Sequence, residues 1–185
     1  MSTKQIEKSA VEIQIPDSVK VNLKGSMLHV QGPLGNAYKN FKKIPVIIEI
    51  NDNKIFLNKT GERKKHLAIL NTSRSLIQTL CAGVVDGFTI KMKIVYSHFP
   101  ITVKAEGKNV LIENFQGERA PRISAINGAT KVTVKGDDVI ITGHVLTDVS
   151  QTAANIQQKS KVKNKDHRVF LDGIYKFSQS KGIEK

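Results

Sequence analysis

Val11-Glu-Ile-Gln-Ile-Pro16 and Val95-Tyr-Ser-His-Phe-Pro100 stand 84 residues apart, and Val19-Lys20 follows the first as Val103-Lys104 follows the second. Farther along, Gly25-Ser-Met-Leu-His-Val30 matches Gly107-Lys-Asn-Val-Leu-Ile112 at a shift of 82, and Gly35 falls on Gly117. Ile48-Glu-Ile-Asn-Asp-Asn-Lys-Ile-Phe-Leu57 then matches Val132-Thr-Val-Lys-Gly-Asp-Asp-Val-Ile-Ile141, again at 84. Self-similarity at a long, nearly constant shift means that one structural unit occurs twice. Inside each copy apolar and polar residues alternate, the period of a half-buried strand. Asn51-Asp-Asn53 and Gly136-Asp-Asp138 interrupt the alternation with residues that tolerate positive φ, as hairpin turns require.

After the last strand of each copy the period lengthens. Leu67, Leu70, Ile77, Leu80, Cys81 and Val84 fall near one helical face, with Arg63, Lys64, Lys65 and Arg74 mostly off it, so a helix is predicted over about 62–82. Gly83 suits a left-handed C-terminal cap, and Thr60 or Asn58 an N-terminal one. In the second copy Thr147 or Asp148 is the expected cap of a shorter helix, roughly 149–159, with Val149, Ala153 and Ile156 facing inward. The expected fold is therefore α+β: two tandem homologous modules, residues 1–87 and 88–185, each a small mainly antiparallel sheet packed by one helix. No Pro/Gly/Ser-rich linker separates them near Asp86-Gly87.

Charge narrows the function classes. The 185 residues carry 29 Lys and Arg against 16 Asp and Glu, a formal charge of +13, while 39% apolar residues suffice for packed cores. No stretch approaches the roughly 18–20 apolar residues of a membrane span. Lys4, Glu7 and Lys8 occupy the place where a signal peptide would be apolar, so a soluble, unsecreted chain is expected. The single cysteine, Cys81, excludes an intramolecular disulfide and any multi-cysteine zinc site, and favours a reducing compartment. A pI of about 9.8 points to a polyanionic partner, most often nucleic acid.

Catalytic chemistry finds no support. Gly32-Pro-Leu-Gly35 lacks the lysine of a P-loop, and no Gly-x-Gly-x-x-Gly precedes a helix. His29, His66, His98, His144 and His167 do not pair at metal-ligand spacing, and no Ser or Cys stands in a nucleophile motif. Asp137-Asp138 belongs to a turn, where Asp serves the backbone. Cys81 lies on the apolar face of its helix and reads as a small hydrophobe. No cofactor, metal or small-molecule substrate is expected.

What remains is basic surface. Residues 159–185 hold eight basic and three acidic residues, residues 88–158 eight against six, and residues 1–87 thirteen against seven. The second module's charge is thus concentrated after its helix, in Lys159, Lys161, Lys163, Lys165 and Arg168, with Tyr175 and Lys176 beyond and Arg119 and Arg122 beside Gly117. A lysine run alone reads as a solvated tail. Here Val169, Phe170, Leu171 and Ile174 offer it an apolar anchor and Asp172-Gly173 a turn, which makes it an anchored arm suited to neutralising phosphates. Two other readings come from different classes. One is a basic protein–protein adaptor without a specific RNA target, whose binding would survive nuclease. The other, an architectural DNA-binding protein, lacks a basic recognition helix and a dimer signal.

Gln158-x3-Val162-x2-Lys165-x2-Arg168-x-Phe170-x-Asp172-Gly173-Ile174-Tyr175 resembles the C-terminal signature of a large-subunit ribosomal protein family, called L-six in bacteria and L-nine in eukaryotes, in its eukaryotic and archaeal branch. Gly87-Phe-Thr-Ile-Lys-Met-Lys-Ile-Val-Tyr-Ser-His-Phe-Pro100 resembles the family's joint into the second module, Val30-Gln-Gly-Pro-Leu-Gly35 its first-module turn, and Asn114-Phe-Gln-Gly-Glu-Arg119 its loop. The resemblance runs from about Val11 to Tyr175. It implies a duplicated α+β fold without catalytic activity and a place in the cytoplasmic ribosome, with nucleolar assembly in a eukaryote. It further implies binding of large-subunit rRNA near the sarcin-ricin loop and stalk base, mainly through the second module, with neighbouring ribosomal proteins and docking translation factors close by and no membrane partner. Carried over by position, the rRNA contacts are Lys159, Lys161, Lys163, Lys165, Arg168, Tyr175 and Lys176, with Arg119 and Arg122 weaker. Lys176 departs from the family, which usually has an aliphatic residue after the Tyr, and so adds a cation there. Structured rRNA is read through shape and phosphates, for which such side chains suffice. With aromatic residues at 5% and no Trp, a single-strand stacking platform fits poorly.

Overall fold

The computed structural model describes residues 10–51, 53–166 and 168–183; Lys4, Glu7, Lys8, Asp52 and His167 lie outside the described residues. The chain divides into two compact units, one ending at Val85 and one starting at Asp86.

In the first unit, β1 (Ala10–Gln14), β6 (Lys54–Lys59) and β5 (Val46–Asn51) form one antiparallel sheet in the order β1-β6-β5. β2 (Lys20–Lys24), β3 (Met27–Gly32) and β4 (Gly35–Asn40) form a second. Each module therefore contains two small sheets where alternation alone suggests one, because connections that break the hydrogen-bond ladder carry no mark in a period-2 pattern. Ile13, Leu28, Val30, Ile55 and Leu57 are buried, the inward set of their strands, and so is Ile15 just beyond β1.

Helix α1 runs Lys64–Val85, longer at its C-terminal end than the predicted span. Gly83 is buried inside it and is no cap. The Thr60 hydroxyl donates to the Pro45 carbonyl (2.9 Å), and Asn58 belongs to β6; neither takes the expected capping role. Leu70, Ile77, Cys81 and Val84 are buried as the periodicity requires, whereas Leu67, in the first turn, is 45% exposed. Burial raises the Cys81 thiol above its ordinary pKa.

The Gly32-Pro-Leu-Gly35 turn meets the last turn of α1: Leu34 N donates to the Val84 carbonyl at 3.0 Å. A Cβ on Gly32 would lie 2.7 Å from Val84 Cγ2 and 2.8 Å from that same carbonyl oxygen. The backbone oxygen cannot rotate away, so Gly32→Ala is expected to cost about 1–3 kcal/mol, the range of an overpacked core. Thermal unfolding of the full chain checks this, the expected fall for a domain of this size being about 4–8 °C per kcal/mol.

In the second unit, β7 (Phe88–Val95), β11 (Lys131–Lys135), β12 (Asp138–Gly143) and β13 (Gly173–Lys181) make a four-stranded antiparallel sheet in the order β11-β12-β7-β13. β8 (Thr102–Glu106), β9 (Asn109–Glu113) and β10 (Arg122–Ala125) make a three-stranded one. Helix α2 runs Leu146–Lys159 and packs on β7, β10, β12 and β13. Val149, Ala153 and Ile156 are its buried face, as expected. Its cap is Val145, with no side-chain hydrogen bond; Thr147 and Asp148 lie within the first turn and do not cap it. Asp138 sits in β12, where it pairs with Lys93 at 3.1 Å, and only Gly136 and Asp137 form the turn.

Strand pairing corrects the repeat at its start. Ile13 pairs with Ile55, which also pairs with Ile50; the equivalent set is Met92, Val139 and Val134. Ile15 N donates to Asn53 O as Ile94 N donates to Asp137 O. Met92, not Ser97, is thus the counterpart of Ile13, and the likeness of Val95–Pro100 to Val11–Pro16 is one of residue types alone. The hairpins around Gly25 and Gly107 (φ 61° and 57°) and the pairs β5·β6 and β11·β12 keep the shifts read from sequence.

The segment expected to be an arm is partly a strand. β13 pairs along the length of β7, from Gly173↔Val95 to Lys181↔Phe88, with an irregularity between Lys176 and Ser178, and it has no counterpart among the described residues of the first unit. Its anchor also differs from expectation. Ile174 (0% exposed) and Val162 (3%) are buried, whereas Val169, Phe170 and Leu171 stand exposed. Asp172 is not a turn residue: its Oδ1 accepts from Ser97 N at 2.8 Å, and Gly173 opens the strand.

Candidate nucleic-acid interface

The chain leaves α2 at Lys159 and reaches β13 at Gly173, and the basic residues sit on this connection. Lys159, Lys161 and Lys163 are exposed, while Ser160 and Val162 between them are buried. The Ser160 hydroxyl donates to the Gln157 carbonyl (3.2 Å) and accepts from Ile174 N (3.1 Å). It thereby links the end of the helix to the start of the strand. Three ammonium groups are thus presented from a backbone fixed on its inner side.

Arg122 also holds this backbone. At the start of β10, its Nη1 donates to the carbonyls of Lys159 (2.8 Å) and Lys161 (2.9 Å). Its Nε and Nη2 donate to the two oxygens of Glu118, and its guanidinium carbon lies 4.0 Å from the Phe115 ring centroid. The side chain is only 17% exposed. Four of its five N–H donors are accounted for inside the protein, which leaves Arg122, a candidate contact in the sequence, one N–H for a phosphate. The Lys159 carbonyl belongs to the last turn of a helix, where carbonyls lack intrahelical partners and favour a cation.

Phe115 and Glu118 come from a tight turn. Asn114 (φ 56°), Gln116 (φ 53°) and Gly117 (φ 80°) all have left-handed backbone, unfavourable for the first two by roughly 1–2 kcal/mol each. The geometry lets Phe115 be completely buried while Glu118 turns back toward Arg122, and the Asn114 amide donates to the Pro100 carbonyl (3.0 Å). The hydrogen bonds from Arg122 hold the Glu118 carboxyl below its usual range against partial burial, with the charges of Arg122 and Lys163 acting in the same sense. A carboxylate with a depressed folded-state pKa favours the folded arrangement at and above its unfolded value of about 4.3, and that contribution is lost as pH falls through the folded value. The Glu118 carboxyl carbon is accordingly expected to titrate in NMR below about 4.3; a midpoint at or above that value would show the ion pair to be absent in solution.

The remaining candidates divide. Lys165 Nζ lies 4.7 Å from the Phe170 ring centroid, and Arg168 pairs with Asp166 at 3.0 Å while staying 90% exposed, an arrangement that holds the guanidinium only weakly. Tyr175 donates from its hydroxyl to the Leu171 carbonyl (3.2 Å). Its ring covers Gly173, where a Cβ would meet it at 2.8 Å. Tyr175 and Lys161 line one open groove of about 520 Å³, together with Ala154, Gln157, Gln158 and Val162. Lys176 follows on the alternate face of the strand and bonds to Gln179, apart from that groove. The register irregularity lies directly after it, between Lys176 and Ser178. Arg119 is exposed in the loop before β10. Sequence reasoning missed Phe115, Glu118 and Ser160: Glu118 and Phe115 reach Arg122 from four and seven residues away through a left-handed turn, and Ser160 bonds to Ile174, pairings that no motif marks.

The comparisons with known proteins agree with this architecture. The family model described as "Ribosomal protein L6" matches residues 99–173, a stretch that lies within the second unit and takes in β8–β12, α2 and the lysine-rich connection. Curated relatives cover much more of the chain. The "Large ribosomal subunit protein uL6" of Methanosarcina mazei is 42% identical over 170 residues, 92% of this chain and 97% of that protein. The protein of the same name from Methanobrevibacter smithii is 44% identical over 168 residues, 91% of this chain and 94% of its own length. That from Methanosphaera stadtmanae is 46% identical over 164 residues, 88% and 89%. Identity at this level across nearly the full length of both partners spans both units as well as the basic connection, and on that ground the chain belongs to the ribosomal protein L6 family of the large ribosomal subunit.

Proposed function

We propose that this constituent of the large ribosomal subunit binds rRNA near the sarcin-ricin loop and the stalk base, beside the surface where translation factors dock, and does so chiefly through residues 159–176. It is a structural, non-enzymatic protein of the ribosome, associated with rRNA and other ribosomal proteins. In the proposed division, residues 1–87 form a first module that meets neighbouring ribosomal proteins. Residues 88–185 form a second module that carries the RNA contact and supports cytoplasmic translation, with nucleolar assembly if the source is a eukaryote.

One observation carries the reading: Lys159, Lys161 and Lys163 are exposed on a connection whose intervening residues are buried and hydrogen-bonded. A phosphate backbone rewards such an arrangement, since each neutralised phosphate releases counterions and a fixed backbone lowers the ordering cost of binding. Among the candidates, Lys159, Lys161, Lys163, Lys165, Arg168 and Tyr175 form the contact. Arg119 flanks it, Lys176 reaches RNA only from the other face of β13, and Arg122 acts from beneath.

Ultraviolet crosslinking in cells, with sequencing of the attached RNA and mapping of the crosslinked residues, tests the assignment. Reads concentrated on the sarcin-ricin region with crosslinks at 159–176 are expected. Reads scattered over many RNAs, or none above background, would overturn the rRNA site and return the basic surface to the adaptor reading.

A further inference from the structure

We propose that Arg122 is a positioning residue for RNA binding: stacked on Phe115 and oriented by Glu118, it clamps the carbonyls of Lys159 and Lys161 and so holds the lysines of the connection in a binding-ready arrangement. The inference rests on the proposed role of residues 159–176 and adds to it the group that organises them.

The duplication supplies the comparison. Val30 pairs with Val21 on one side and Ala37 on the other, and Ile112 pairs with Val103 and Arg122. Arg122 therefore occupies the place that Ala37 takes in the first unit. Ala37 is a buried filler, 2% exposed. A guanidinium at the equivalent position of a half-buried strand is costly unless its donors are satisfied, and it is retained here together with a carboxylate, an aromatic face and two carbonyls arranged around it. The first unit has the small residue and no lysine-alternating connection after its helix; the second has the arginine and that connection.

Arginine suits the task better than lysine. Its planar fork reaches Glu118 from one edge and both carbonyls from the other while its face lies on Phe115, geometry that a single ammonium cannot reproduce. Two of its partners lie two residues apart in the chain, so their shared donor fixes the backbone across Ser160, at the point where the helix ends and Lys161 and Lys163 begin to project.

Charge and position predict different results. Full-length protein is titrated with an in vitro transcribed rRNA segment that contains the sarcin-ricin loop and stalk-base helices, over a series of KCl concentrations. Arg122→Gln and Arg122→Lys are each expected to weaken binding about tenfold, the scale of one charge-assisted hydrogen bond. The salt slope should stay unchanged, since the phosphate-contacting lysines remain, and amide exchange should quicken at 160–165 but not in the strands. Glu118→Gln removes a negative charge close to the RNA, so charge alone predicts tighter binding, whereas loss of the clamp predicts weaker binding. This variant keeps the test decisive if the Arg122 variants fail to fold.

Wild-type affinity in Arg122→Lys would overturn the proposal. So would a slope reduced by about 0.7–0.9 in Arg122→Gln, the mark of a lost phosphate contact, or tighter binding by Glu118→Gln. If reversal of the connection's lysines leaves affinity untouched while exchange at 160–165 still responds to Arg122, the clamp exists but the RNA reading is the part that fails.

Discussion

Replacement of Lys161, Lys163 and Lys165 together by Glu is expected to lower rRNA affinity about a hundredfold at 0.15 M salt and to flatten the salt dependence by about two to three units of slope. The figure follows from counterion release: each lost phosphate contact removes about 0.7–0.9 from the slope, so three contacts at that salt concentration amount to roughly two decades in affinity. The structure favours an effect near this full size. Lys161 and Lys163 project from a backbone anchored by Ser160, Val162 and Arg122, so their ordering is largely complete before binding. Lys165 is held more loosely, over the Phe170 ring. The same charge change at Lys20, Lys24 and Lys42, exposed in the first unit, is expected to leave the slope almost unaltered. Equal slopes for the wild type and the 161/163/165 variant would remove this connection from the contact.

Phe115→Ala is expected to destabilise the second unit by about 3–5 kcal/mol, the usual cost of truncating a buried aromatic ring. Against a typical domain stability of about 5–15 kcal/mol, that is a large share. The ring is fully buried and belongs to the continuous cluster that includes Ile112, Ile156, Val162 and Ile174. It is also the flat surface under Arg122, and its burial offsets the left-handed backbone of Asn114 and Gln116 on either side. Removing it leaves a cavity and a turn with nothing to hold it. Thermal or urea unfolding of the full chain measures the loss; a change below about 1 kcal/mol would show that the site collapses without the ring. Phe115→Leu separates the two roles, because it refills most of the volume at a cost of about 1–1.5 kcal/mol yet gives the guanidinium no π face. Its RNA affinity should fall further than its stability suggests.

The duplication, the α+β class, the buried face of α2 and the concentration of positive charge after that helix were all legible in the order of residues. Periodicity reports which side of an element is buried, and composition reports charge, and both are local properties. The family was legible as well, from the run that ends in Asp172-Gly173-Ile174-Tyr175. The tertiary structure alone decided which strands pair. It moved the counterpart of Ile13 from Ser97 to Met92, divided each module into two sheets and turned the end of the supposed arm into β13, because alternation is the same whatever partner a strand finds. Only tertiary contacts, too, could distinguish Arg122 from the lysines around it. All are cations in sequence, but two carbonyls, 37 and 39 residues farther along the chain, meet Arg122 opposite its near neighbours Glu118 and Phe115. A side chain's role depends on which of its donors remain unused after folding, and that is settled by neighbours distant in sequence.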